Sequence, residues 1–361
     1  MEIEPHILMA LCGFGLGTIA GLAARGADFC TYRAIEDWWV TGSSTRLRTW
    51  ALSIVVAMVV VQAMYAADLA RIGDSFYLAP SLGWGGAIAG GLLFGWGMAM
   101  VGTCGFGILV RLGSGDMRAV LMFLTLGLSA YMAARGLTAL GRVYALEPLR
   151  LDMEASGGQG LGHLLGSATG TAPGSAGIAI ALVLAAVVLF WCFRDAAFRG
   201  SGYSILSGVA VGLAVAGGFA ATGILGNDDF HPQHVESLTY VLPPGETIQY
   251  LLTFTGAEIN FGIGVTLGTI FGAWVTTATR MGFRWEVYDD AQEMRRHLLG
   301  AFLMGFGGVA AMGCTVGQGV SGMSTLAVSA PLALASIFAG AVLGIRYLMT
   351  GSLLGRGDQE V

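Results

Sequence analysis

Cys30, Cys104 and Cys314 sit in stretches unlike their surroundings: ADFCTYRAIEDWW (27–39), TCGFGILVRLG (103–113) and CTVGQGVSG (314–322). Each stretch is polar or dense in glycine, yet each follows a long apolar run. A neutral thiol is a weak hydrogen-bond donor and a soft, polarisable group. With an unperturbed pKa of about 8.5 it is uncharged at neutral pH, so it can meet an anion without repelling it. Such a group suits brief contact with a soft ligand passing through the protein. Metal chemistry fits less well: the cysteines form no CxxC, and His6, His163, His231, His234 and His297 are scattered. Cys12 and Cys192 lie in plain apolar runs, where a thiol behaves as a small hydrophobe.

The neighbours of the three thiols extend this chemistry. Thr103, Thr315 and Gln318 carry donors that suit the oxygens of an oxyanion, although such groups also serve as polar glue between helices. Arg33 and Arg111 flank the same stretches, as do Asp28 and Glu36; the arginines read first as topology signals and second as anion-steering charges. Glu258 and Asn260 open another apolar run. A carboxylate at membrane depth is a functional candidate, but an odd group in an anion's path unless protonated. No catalytic set, metal site or cofactor motif emerges, so the expectation is a non-enzyme without a cofactor.

The elements that must position these residues are membrane helices. Hydrophobic residues make up 55% of the 361, charged residues 11%, and 58 are glycine; a soluble domain carries about 25% charged residues. The apolar runs are continuous and do not alternate, which selects helices over a barrel. The chain is therefore expected to be an all-α integral membrane protein with about nine spans: 7–25, 47–67, 82–102, 117–140, 176–193, 203–221, 259–280, 297–313 and 327–349. The N-terminus MEIEPHILMA lacks the basic segment of a secretory signal, so the first span is expected to be kept. There is no lysine. With nine spans, thirteen arginines, Arg284 and Arg356 among them, fall on one side and three on the other. That asymmetry places the N-terminus outside and the C-terminus in the cytoplasm. Lipid is a partner by composition, and nothing points to nucleic acid.

The spans repeat. With Cys104 aligned to Cys314, Gly90, Gly95, Gly97 and Gly107 fall on Gly300, Gly305, Gly307 and Gly317. More weakly, Gly17, Gly21 and Gly26 fall on Gly208, Gly212 and Gly217, a register that sets Cys30 opposite Ala221. Four spans, one connecting span and four more invert the second half relative to the first, a plan that places a pathway at the repeat interface. The expected divisions are a first repeat (1–140, re-entrant pieces near 27–40 and 103–113), an outer Gly/Ser-rich linker with the connecting span (141–200), and a second repeat (201–361). The second repeat has re-entrant pieces near 222–255, where IQYLLTF (248–254) suggests a short helix, and near 314–325. Non-helical backbone is tolerated at membrane depth only where it is buried in protein or lines a cavity, so four such half-helices would pinch a central pathway.

GTCGFG (102–107), GCTVGQGVSG (313–322) and RGADFCTYRA (25–34) resemble the cysteine motifs of the YeeE/YedE sulfur-transport family. The resemblance covers nearly the whole chain. It implies uptake of thiosulfate across a bacterial inner membrane, with Cys30, Cys104 and Cys314 as thiols one below another along the pathway. Some members carry or work with a small soluble sulfur-carrier protein bearing a CPxP motif. This chain has no CPxP, so a TusA-like carrier would act in trans on the cytoplasmic side. Other sulfur or selenium species remain open as substrates. A membrane thiol oxidoreductase is the alternative class, disfavoured by the lack of CxxC. Soft-metal transport is a third, disfavoured because the 16 methionines form no cluster with Cys or His.

Overall fold

A computed structural model describes residues 4–153, 158–226, 234–283 and 285–351; Arg284, Arg356 and His231 lie outside the described residues. The chain is helical. The first half comprises α1 (Pro5–Ala27), α2 (Thr31–Glu36), α3 (Thr45–Ala66), α4 (Trp84–Val101), α5 (Gly105–Gly113) and α6 (Arg118–Arg135). Next come α7 (Leu137–Ala145), α8 (Leu161–Thr169), α9 (Pro173–Phe193) and α10 (Ala196–Gly200), and then α11 (Gly202–Leu225), α12 (Leu242–Leu252), α13 (Phe261–Thr276), α14 (Ala291–Ala310) and α15 (Ser329–Thr350). Among the described residues seven helical stretches are long and apolar enough to cross a membrane, and α6 with α7, bent by 58°, makes up to eight. The molecule is a multi-pass membrane protein. The expected eighth span, 297–313, corresponds to α14, which falls outside that set because it opens with the polar run Gln-Glu-Met-Arg-Arg-His.

Local chemistry sets the helix ends. Pro5 and Pro173 open α1 and α9, where a missing N–H costs nothing. The Asn260 side chain accepts the Ile263 N–H at 2.8 Å and caps α13. Gly102, at φ 73°, stops α4 in the left-handed conformation just before Thr103 and Cys104. After Gly136 the chain turns into α7, and Arg142 Nε returns to the Ala133 carbonyl at 3.1 Å, satisfying a group the bend leaves free.

Glycine governs how the long helices meet. α1 lies along α13 with the backbones in mutual contact. A Cβ on Gly264, Gly268 or Gly272 would stand 2.1, 2.1 and 2.2 Å from the carbonyl oxygens of Ala10, Phe14 and Thr18. From the other side, a Cβ on Gly13, Gly17 or Gly21 would stand 2.4, 2.4 and 2.3 Å from those of Phe261, Val265 and Thr269. α3 and α11 meet similarly, with Gly208 and Gly212 against the Thr49 and Ser53 carbonyls. α4 packs on α15 and on α14, and α14 on α6. Where α4 and α14 cross, a Cβ on Gly90 would be 2.6 Å from the Gly307 oxygen and one on Gly97 2.5 Å from the Gly300 oxygen. Small residues give membrane helices this close approach, and dispersion contacts do the rest.

Short elements follow α1 and α4: α2 and a π-helical turn (Asp37–Thr41) after the first, and α5 after the second. The stretch after Cys314 is a π-helical turn, Gly317–Gly322. In the 222–255 region, α11 runs on to Leu225, an extended segment occupies 234–241, and the short helix is α12, starting six residues earlier than IQYLLTF. The linker is more structured than its Gly/Ser content suggests. β2 (Leu151–Asp152) pairs antiparallel with β1 (Ser81–Leu82). Leu161 N–H donates to Leu326 O at 2.9 Å and Val328 N–H to Gln159 O at 3.0 Å, tying the linker onto the chain after the π turn.

Candidate functional site

Each thiol begins a short helical element. Cys104 is the N-cap of α5, and its Sγ accepts the Gly107 N–H at 3.4 Å. Cys314 repeats the arrangement, accepting the Gly317 N–H at 3.2 Å. The spacing Cys-x-x-Gly thus creates the same local motif twice, leaving each thiol proton free to be donated elsewhere. Cys30 is the N-cap of α2, half-buried, with Sγ 3.6 Å from Thr103 Oγ1. A Cβ on Gly107 would stand 3.5 Å from this Sγ, so Cys30 lies against the first turn of α5, which Cys104 caps. Cys104 and Cys314 are fully buried, and all five cysteines are free.

Two cavities approach this layer from opposite ends of the same helices. The first, about 420 Å³, has Cys30, Thr103 and Gly107 among its lining, together with Arg25, Arg33, Arg111 and Arg118 and the acids Asp28, Asp116 and Glu286. The second, about 510 Å³, is lined by Thr239 and Gly313 and by Arg135, His234, Glu236, Glu246 and Asn260. Ala24 of α1 lines the first and Met9 the second, about 22 Å apart by helix rise. Thr239 packs against Gly317, whose N–H the Cys314 Sγ accepts: a Cβ on Gly317 would stand 2.6 Å from Thr239 Oγ1.

Between the cavities lies a buried aromatic row. Phe29, which lines the first cavity, meets Phe106 edge-on at 6.2 Å, and Phe106 lies 4.6 Å from Tyr240. Phe106, Tyr240 and the buried Cys104 and Cys314 line neither cavity.

The predicted site residues divide. Cys30 and Thr103 line one cavity together with Arg33 and Arg111. Arg33 pairs with Asp28 at 2.9 Å, and Arg111 donates to the Gly102 carbonyl at 3.0 Å, bracing the end of α4. Thr315 is buried, with its hydroxyl unpartnered among the described residues. Gln318 departs from expectation: both its amide bonds go to the Ala311 and Met312 carbonyls, at 3.0 and 3.1 Å. Its donors are spent closing the end of α14, so the polar-glue role prevails over substrate contact. Glu258 is exposed between α12 and α13, away from both cavities. Ala221 lies inside α11, and Thr239 lies against the Cys314–Gly317 turn, because the chain inserts a long segment before it turns back.

Sequence reasoning missed Phe29, Phe106, Tyr240, Glu236 and Glu246. The first two stood inside the quoted motifs, next to Cys30 and two residues after Cys104. Glu236 follows α11 on the extended segment, outside the spanning helices. Burial, and next the charge of Glu246, holds its carboxyl up at about 8.

A family model described as sulphur transport matches residues 26–343, a range holding all three thiols. The chain belongs to the sulphur transport family. It is 26% identical over 341 residues to the thiosulfate transporter TsuA of Spirochaeta thermophila, covering 91% of this chain and 96% of that protein. Against the thiosulfate transporter TsuA of Escherichia coli the identity is 24% over 337 residues, 86% of this chain and 87% of that protein. A shorter match, 31% over 110 residues, joins 30% of this chain to 24% of the probable transporter YedE of Escherichia coli. The protein is thus a multi-pass member of a transporter family, a grouping that speaks against an enzyme.

Proposed function

We propose that the protein takes up a small sulfur oxyanion, thiosulfate foremost, across a bacterial inner membrane. The anion passes from the Glu236-lined cavity, past Cys314, Cys104 and Cys30, to the arginine-rimmed cavity. The observation that carries this reading is the group of three free cysteines, Cys104 and Cys314 fully buried and Cys30 half-buried, flanked by two cavities at opposite ends of the same helices. A soft terminal sulfur accepts weak S–H donors, and successive weak contacts let it move on. Thr103 adds a hydroxyl at the last station, while Arg33 and Arg111 draw the anion out. Passage requires the Phe29–Phe106–Tyr240 row to part.

The arrangement follows two inverted halves, with α14 as the eighth of nine spans. In this reading α1, α3, α4 and α6 correspond to α11, α13, α14 and α15. The partners then exchange consistently: α1 with α13 matches α11 with α3, and α4 with α15 matches α14 with α6. The Gly90–Gly307 contact matches Gly300–Gly97, and the Cys104–Gly107 bond matches Cys314–Gly317. The arginine-rich side faces the cytoplasm, with the N-terminus outside. A TusA-like carrier acting in trans would collect the anion there.

Cells given thiosulfate as sole sulfur source should grow with the wild-type protein and fail with Cys104→Ala or Cys314→Ala, membrane levels being equal. Normal growth of both variants would remove the thiols from the pathway. The adjacency of Cys30 and Cys104 favours one second reading, a thiol redox cycle, which predicts a Cys30–Cys104 disulfide in native membranes. Alkylation with mass analysis should instead find both thiols reduced.

A further inference from the structure

The carboxylates of the two cavities are treated differently. In the arginine-rimmed cavity Asp28 pairs with Arg33 and Arg46, and Arg118 pairs with Asp116 and Glu286. In the other cavity, among the described residues, neither Glu236 nor Glu246 makes an ion pair. Glu246 receives the neutral Asn260 amide at 2.9 Å. Glu236 is fixed by its backbone: Thr222 Oγ1 lies 2.6 Å from its carbonyl oxygen and 3.2 Å from its nitrogen. It stands three residues before Thr239, which lies against the Cys314–Gly317 turn.

Two ionised carboxylates here would repel an incoming dianion, and a carboxylate can only accept hydrogen bonds. One proton changes both facts, removing a charge and creating an O–H donor. We propose that Glu236 is a proton-binding site and that this cavity accepts its anion only while Glu236 is protonated, so that proton and anion bind together on the uptake side. This rests on the proposed direction and substrate class. Among the described residues, the groups facing Glu236 are Glu246 from α12, His234 on the same segment, Arg135 from α6 and Tyr77 from the connection between α3 and α4. Helices α1, α11, α13 and α14 contribute no titratable side chain to the lining. Ionised Glu246 favours the protonated form of its neighbour, while Arg135 and a charged His234 oppose it.

The test is thiosulfate uptake into proteoliposomes against external pH, with Glu236→Gln and Glu246→Gln beside the wild type. Wild-type uptake should fall roughly tenfold per pH unit above the Glu236 titration near 8. Glu236→Gln should lose that dependence, and Glu246→Gln should keep it with the midpoint moved to lower pH. A Glu236→Gln protein that follows the wild-type curve, or that is inserted and folded yet inactive at every pH, overturns the proposal. If the wild type takes up no thiosulfate at any pH, the substrate reading fails by itself. Infrared titration then decides the proton site: a neutral carboxyl band at neutral pH, absent in Glu236→Gln, upholds it, and its absence from the wild type overturns it.

Discussion

Two glycines with nearly equal clearance should behave oppositely when replaced by alanine. A Cβ on Gly107 would fall 2.0 Å from Thr103 Oγ1, and one on Gly268 would fall 2.1 Å from the Phe14 carbonyl oxygen. The difference lies in what can yield. Thr103 Oγ1 can swing away by rotating χ1, but it then leaves Cys30 Sγ, 3.6 Å distant, and the displaced methyl crowds the cavity. An unfavourable rotamer costs about 0.5–1.5 kcal/mol, and a lost neutral hydrogen bond about the same. Gly107→Ala should therefore fold, losing about 1–3 kcal/mol. If that cost falls on passage, uptake drops roughly five- to hundredfold. Gly268 faces backbone, with the Phe14 carbonyl carbon at 2.8 Å and Cα at 2.9 Å, so α1 and α13 must separate along their whole glycine seam. Overpacking costs about 1–3 kcal/mol where side chains can adjust and more where they cannot, so Gly268→Ala should fail to accumulate as folded protein. Thermal melts of purified protein and labelled thiosulfate uptake separate the two effects. Gly107→Ala with wild-type uptake would refute the placement of Thr103 and Cys30 on the pathway. A stable Gly268→Ala would refute the packing account.

Further expectations follow from the same contacts. Gln62 donates from α3 to the Ser324 carbonyl at 2.9 Å in a buried setting, so Gln62→Leu should cost about 1–3 kcal/mol by orphaning that carbonyl, read as earlier proteolysis near residues 313–328. Asn260→Ala removes the cap of α13 and should lower stability by about 1 kcal/mol in thermal melts, while freeing Glu246 from its amide partner. Stability should also depend on pH through Glu236. Its folded pKa, raised to about 8, lies above the unfolded value, so the folded state binds more protons and that stability is lost as pH rises from about 4.5 through about 8. Melting temperatures of the wild type should fall across that window, and those of Glu236→Gln should fall less.

Much of the helical scaffold was legible in the sequence because bilayer thickness imposes long apolar runs and glycine density marks close packing. The thiols were legible because polar, glycine-rich chain after a span has few stable places to go. α14 was harder to place, since its opening polar turns dilute its hydropathy while its later glycines pack on α4. Gln318 was misread because composition cannot tell whether an amide's N–H groups are already committed to a helix end. Tyr240 and Thr239 were missed because the long insertion after α11 shifts the weaker register away from Ala221. Glu236 has no motif at all, and its situation arises only when α6, α11 and α12 converge.

The central claim is that an anion passes the buried thiols in single file. The most direct measurement is initial-rate uptake of labelled thiosulfate by proteoliposomes holding Cys104→Ala or Cys314→Ala, with Cys12→Ala and Cys192→Ala as controls. The thiol-layer variants should lose most uptake while the controls keep it; wild-type rates in either Cys104→Ala or Cys314→Ala, at equal insertion, would contradict the account.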